Sequence, residues 1–250
     1  MKDAILISLR EHLKALKLSA MASSIEMHLR QAKESGIGYD DFLLDLATVE
    51  LQVRAANRQA RRIRDAKFPL LKPVEAFDLN AAPDLDLRLF RDLCGCDYIK
   101  EHRNVIFLGG SGTGKTHMAT ALGIEACKAN YRTRFISGYG LVNELIEARE
   151  TRDLSRIIQR YSRYDLLILD ELGYIPFSKE GSELLFQVLA ERYERGSIMI
   201  TTNLGFADWT QVFGDPVITA TLLDRLTHKA HIINCLWESY RLKQSIKTTK

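Results

Sequence analysis

The rhythm of apolar residues changes near residue 104. Before it the spacing is helical: Leu6, Leu9, Leu13 and Leu16 recur at three and four, one face of a helix. A second helix fits "ASSIEMHLRQAKES", ending at Gly36 and Gly38. A third starts near Asp40, a good N-cap, with Val49, Val53, Ala56, Ala60 and Ile63 as its apolar stripe. Pro69, Pro73 and Pro83 then interrupt any helix. After Asn104, short unbroken apolar runs alternate with helical stretches: "NVIFL", "TRFIS", "LLILD", "SIMITT" and "AHIINCL". Such runs predict a parallel sheet covered on both faces. The expected domains are a helical one at 1–67, a linker with the entry helix "DLRLFRDLC" at 68–103, and an α/β domain at 104–250.

Composition alters this picture little. The 250 residues are 46% hydrophobic and 27% charged, an ordinary globular balance with room for one large and one small domain. No apolar run is long enough to span a bilayer, and the start lacks a signal-peptide pattern, so the expected compartment is the cytoplasm. The net charge of +3 neither demands nor excludes nucleic acid. "CGC" at 94–96 has no second Cys or His pair at zinc spacing, so no metal site is expected there.

The chemistry concentrates in four places. "GGSGTGKT", Gly109 to Thr116, matches G-x-x-x-x-G-K-[ST] between a strand and a helix. Backbone N–H groups of Gly112, Thr113, Gly114 and Lys115 suit a β-phosphate, with the helix N-terminus adding positive charge. The Lys115 ammonium suits the β- and γ-phosphates, and the Thr116 hydroxyl a Mg²⁺ shell. In "YDLLILDELG", Asp170 and Glu171 emerge at the C-terminal end of a buried strand, where open α/β sheets bind ligands. Asp170 is expected to hold Mg²⁺, and Glu171 to polarise the water that attacks the γ-phosphate. That pair favours hydrolysis over phosphoryl transfer by a small-molecule kinase. In "IMITTN", Asn203 is either a turn former or a residue that orients the water. In "TATLLDRLTHKA", Arg225 is either a surface residue paired with Asp224 or an arginine finger acting on a neighbour's nucleotide.

"GGSGTGKTHMATALG", "YDLLILDELGYIPF", "ERYERGSIMITTNLGFADW", "LLDRLTHKA" and "ESYRLKQ" occur in this order and spacing. On these motifs the chain resembles the IstB-like transposition helper ATPases, relatives of the DnaC helicase loaders and DnaA initiators in the AAA+ superfamily. The resemblance implies an AAA+ P-loop core with strand order 5-1-4-3-2 after a small all-helical domain. It makes Gly109 to Thr116 Walker A, with Gly110, Ser111 and His117 in the nucleotide-binding stretch. Asp170 and Glu171 become Walker B, Asn203 sensor 1, Arg225 the arginine finger and Arg241 sensor 2. The family usually has Gly before "ESYR"; here it is Trp237, a departure that bears on the turn before Arg241. The resemblance also implies ATP-driven oligomers around duplex DNA and a partner transposase. A DnaC-like helicase loader would carry nearly the same core.

Two basic stripes mark candidate DNA surfaces. One runs from Arg54 to Lys72 through Arg58, Arg61 and Arg62; the other places Arg152, Arg156, Arg160 and Arg163 on one helix face. Arg suits bidentate phosphate contacts. With no recognition-helix pattern, the expected contacts are to the backbone and independent of sequence. Lys243, Lys247 and Lys250 add charge to the tail.

Overall fold

The computed structural model describes residues 2–242 and divides the chain into two units, 1–61 and 62–250. Lys243, Lys247 and Lys250 lie outside the described residues.

The first unit holds α1 (Lys2–Ala15), α2 (Ser19–Ser35) and most of α3 (Tyr39–Ala66). Gly36 ends α2 in the left-handed region (φ 66°), where glycine carries no Cβ penalty. The Glu50 carboxylate accepts from Ala20 N (2.8 Å) and Met21 N (3.0 Å), satisfying the first turn of α2 from α3. Met21's N–H, with Arg54 and Ala20 assisting, holds Glu50 below the usual carboxylate range. The core here is thin: Ala20, Ala22, Ile25 and Leu46 are its buried apolar residues. The apolar stripe expected on α3 is not a buried face. Val53, Ala56 and Ala60 are exposed.

The second unit is built on five strands: β1 (Val105–Gly109), β2 (Thr133–Ser137), β3 (Leu166–Asp170), β4 (Ser197–Thr202) and β5 (His231–Cys235). They pair in parallel in the order β2-β3-β4-β1-β5, the order the resemblance implied. Side chains alternate between two cores, as the two-residue period requires. Val105, Phe107, Leu166, Ile168 and Met199 face one side; Ile106, Leu167, Leu169, Ile198 and Ile200 face the other. Burial of both faces explains the unbroken apolar runs.

Helices α6 (Lys115–Lys128), α7 (Gly138–Glu150), α8 (Leu154–Ser162), α9 (Lys179–Arg192), α10 (Trp209–Phe213) and α11 (Pro216–Thr227) connect the strands. Residues 68–103, expected as a linker, belong to this unit. Phe68, Val74 and Phe77 pack on the core, as do α4 (Leu87–Cys94) and α5 (Asp97–Lys100). The proline interruptions stop a long helix there, but they do not stop aromatic burial.

Arg192, at the end of α9, is 1% exposed. Its guanidinium donates to the carbonyls of Tyr161 (2.6 Å), Tyr164 (2.8 Å) and Ser197 (2.9 Å). It thus ties the end of α8 to the starts of β3 and β4. Burial pushes Arg192 down to about 10, so it stays charged at neutral pH. Arg192→Leu removes the donor these carbonyls share and should destabilise this unit by about 3 kcal/mol or more. Arg192→Lys should recover part of that. Urea unfolding followed by circular dichroism measures both, and an unchanged midpoint for the leucine variant would contradict the clamp.

Candidate functional site

The C-terminal ends of β1, β3 and β4 open into a cleft of about 510 Å³, within the range of small-ligand sites. Its floor is the loop between β1 and α6. Gly109 (φ 152°) lies so close to Cys235 at the end of β5 that a Cβ would collide with the Cys235 carbonyl. At Gly112 (φ 82°) a Cβ would meet the Ser239 hydroxyl, which would have to rotate away. Gly114 caps α6, and the Phe77 ring packs where its side chain would be.

Segment 237–241 braces this loop. Trp237 Nε1 donates to the Thr113 carbonyl (2.8 Å), and Tyr240 N to the Gly112 carbonyl (3.0 Å). Each held carbonyl fixes a peptide plane and therefore the next N–H on its opposite side, at Gly114 and Thr113. The departure at Trp237 thus inserts a buried indole that grips the loop. Arg241 follows in the wall of the cleft and, through its charge, acts on Lys115.

Lys115 Nζ donates to the carbonyls of Gly109 (2.7 Å) and Gly110 (2.6 Å). Burial draws it below the usual lysine range, against the opposing pull of Asp170 and Glu171. Thr116 Oγ1 donates to Asp170 Oδ1 (3.0 Å), so the two expected metal residues are together. A hydroxyl and a buried carboxylate at this separation are hard oxygen donors of the kind Mg²⁺ takes.

Thr201, which the sequence reading missed, links the remaining parts. Its hydroxyl donates to Asp170 Oδ1 (2.6 Å) and accepts from Glu171 N (2.9 Å). Glu171 has φ 54°, a costly conformation for a residue with a Cβ, and the Thr201 hydroxyl pins it. The Glu171 side chain is exposed and borders the cleft, as does Asn203 just past β4. The signal for Thr201 was its position two residues before Asn203 on a buried strand.

Ser111 and His117 also line the cleft. His117 stacks edge-on against Phe77 (5.1 Å) and lies 3.3 Å from the Pro73 carbonyl. Burial lowers its pKa. Pro69, Leu70 and Phe77 complete the wall, so the expected linker forms part of the site.

Arg225 is elsewhere. It is partly buried on α11, which Asp215 caps by accepting from Val217 N and Ile218 N. Its guanidinium carbon lies 5.3 Å from the Phe186 ring centroid and 5.9 Å from that of Tyr193. Asn104, just before β1, bonds the Leu226 carbonyl (3.0 Å) and Ile198 N (2.9 Å). Arg225 therefore sits at the starting ends of the strands, about 16 Å of strand away from the loop at their other ends.

The basic stripes divide. Arg54 bonds Glu50 (2.7 Å) and the Lys17 carbonyl, inside the first unit. Arg58 and Arg61 are exposed on α3, and Arg62 is half-buried. In the second stripe, α8 begins at Leu154, so Arg152 (φ 61°) lies in the preceding turn and Arg163 caps the end. The expected four-residue face reduces to Arg156, paired with Asp153 (2.7 Å), and Arg160, paired with Glu144.

The family model for IstB-like ATP-binding proteins matches residues 11–248. The chain belongs to that family. It is 38% identical over 235 residues to the ATP-binding protein of insertion sequence IS21 from Pseudomonas aeruginosa, covering 94% of this chain and 89% of that one. It is 35% identical to the IS5376 counterpart from Geobacillus stearothermophilus, covering 94% of each. Among solved structures, AMPPCP-bound DnaA from Aquifex aeolicus superposes with TM-score 0.58 at 18% identity, over 73% of this chain and 56% of that one. The DnaC helicase loader gives 0.52 at 19%, over 71% and 99%. At such identities the likeness shows the fold alone: a five-stranded parallel sheet flanked by helices. Among the described residues, no helix is long and apolar enough to cross a membrane.

Two substitutions test the bracing contacts. Trp237→Phe keeps a ring but loses the donor to Thr113; ATP affinity should fall about three- to tenfold, the worth of one such bond, in an equilibrium titration. Thr201→Val leaves Glu171 N without its acceptor and removes one of the two hydroxyls on Asp170 Oδ1; steady-state ATP turnover should fall by about tenfold or more. Wild-type turnover in the valine variant would remove Thr201 from the account.

Proposed function

We propose that this protein is an ATP-dependent helper of transposition. It assembles on duplex DNA with ATP at subunit interfaces, and the assembly recruits or stimulates a partner transposase. Family membership and the insertion-sequence origin of its relatives support the transposition reading over a helicase loader. The observation that carries the assembly step is the separation of Arg225 from the loop that holds Lys115. A finger at the starting ends of the strands cannot reach its own nucleotide, but it is exposed enough to reach a neighbour's.

In the proposed site, the loop N–H groups and Lys115 hold the β- and γ-phosphates. Thr116 and Asp170 are the residues to hold Mg²⁺, which when bound neutralises charge on the phosphate oxygens. Glu171 takes a proton from the attacking water, and Asn203 orients that water. Attack breaks the bond between the γ-phosphorus and the bridging oxygen of ADP, and the Glu171 proton passes to solvent. Arg225 of a neighbouring copy stabilises charge on the transferring group. Arg241 senses the phosphates from the braced C-terminal segment. Hydrolysis then resets the assembly.

Arg225→Ala should bind ATP normally and lose hydrolysis. Mixed with Lys115→Ala protein, which supplies an intact finger, it should regain part of its turnover. An inactive mixture would contradict a site shared between copies. Sizing runs should show ATP- and duplex-dependent growth of the wild-type particle.

A further inference from the structure

A second concavity lies on the second unit, away from the nucleotide cleft. It is an open groove of about 460 Å³ at the sheet edge formed by β2. Three separate segments supply its cations: Arg62 and Lys67 from the end of α3 and the turn after it, Arg132 just before β2 and Arg134 within it, and Arg160 from α8. Asp65 and Glu144 are the acids in its lining, so cations exceed carboxylates by three. Glu144 is already engaged from within, by Arg160 and by the Tyr161 hydroxyl (2.5 Å).

We propose that this groove is a docking site for the sugar–phosphate backbone of duplex DNA. The proposal rests on the DNA-binding reading above and gives it a location. Neither basic stripe alone defines the site. The end of the first stripe and the middle of the second converge here, and β2 adds Arg132 and Arg134 between them.

Three features select phosphodiester over an acidic protein segment. First, the lining contains no aliphatic side chain; Tyr164 is its single aromatic residue. Protein partners gain most of their affinity from apolar anchors in pockets, and this groove offers none. Second, four of the five cations are Arg, whose planar fork matches phosphate oxygens in pairs. Third, the cations project from a fixed frame. Arg132 N donates to Asp165 Oδ2 (2.6 Å), and its carbonyl accepts from Asp165 N (2.8 Å). Arg134 lies beside Tyr161 and Glu144, which orient it. Little ordering cost then remains to be met on binding.

The test uses the full-length double variant Lys67→Ala/Arg132→Ala, two residues outside the nucleotide site. Basal ATP turnover without DNA should match wild type, which shows that the fold is intact. Binding to a short duplex, measured over a salt series, should weaken more than tenfold at low salt. The slope of log affinity against log salt should shrink by about 1.8, two phosphate contacts' worth. Lys100→Ala/Arg195→Ala, which removes the same charge elsewhere, should shift the slope far less. Equal slopes for the two double variants, or a wild-type slope in the first, would overturn the groove while leaving DNA binding intact. Retained duplex affinity with lost binding of a polyglutamate peptide would reassign the groove to an acidic protein segment. A wild-type chain that fails to bind any duplex would instead overturn the DNA reading itself.

Discussion

The approach of Gly109 to the end of β5 sets the geometry of the nucleotide site. β1 and β5 pair up to Gly109 and Cys235, and there the backbones come too close for a Cβ on residue 109. Because β5 ends against the loop, the next residues must run across it. Trp237 then reaches Thr113, Ser239 fills the space above Gly112, and Tyr240 bonds Gly112. The phosphate cup is therefore made of two chain segments whose shapes exclude each other's side chains. A Cβ at 109 would strike the Cys235 carbonyl, and one at 112 would displace the Ser239 hydroxyl. The glycines serve this tertiary fit as well as the turn.

How much of this the sequence disclosed follows from the range of each interaction. The strands were legible because burial on both faces leaves a continuous apolar run, and their order followed from the family resemblance. The loop residues and the Asp170–Glu171 pair are local patterns, and the fold brings them into one cleft. Thr201 was not legible, since a threonine on a β-branched strand is ordinary until its hydroxyl is seen to face Asp170. Residues 68–81 misled because prolines erase periodicity. The burial of Phe68 and Phe77 is decided by a core that lies elsewhere in the chain. The second arginine stripe failed for a simpler reason: a helical period was carried past the ends of α8. Arg152 takes a left-handed turn before it, and Arg163 caps it.

The two kinds of chemistry occupy opposite ends of the same strands. Lys115, Asp170 and Asn203 gather where the strands finish; Arg225, Arg132 and Lys67 lie toward where they begin. Between them runs β3, buried at every residue from Leu166 to Asp170. Asp165 precedes it and holds the backbone of Arg132. Arg192 clamps the same end through the carbonyls of Tyr161, Tyr164 and Ser197. Close packing along β3 resists local rearrangement, and coupling between sites needs an element with two states. Spatial continuity from Asp170 to Arg132 does not by itself make a route for a conformational signal. In the proposed assembly, the movable element would be the contact between copies, where Arg225 would engage or release a neighbour's phosphate. On the proposed reading, ATP would govern the grip on DNA by setting how many grooves are held in one array. Avidity would then supply the switch: linking weak, salt-sensitive backbone sites multiplies their hold by orders of magnitude without altering any single contact.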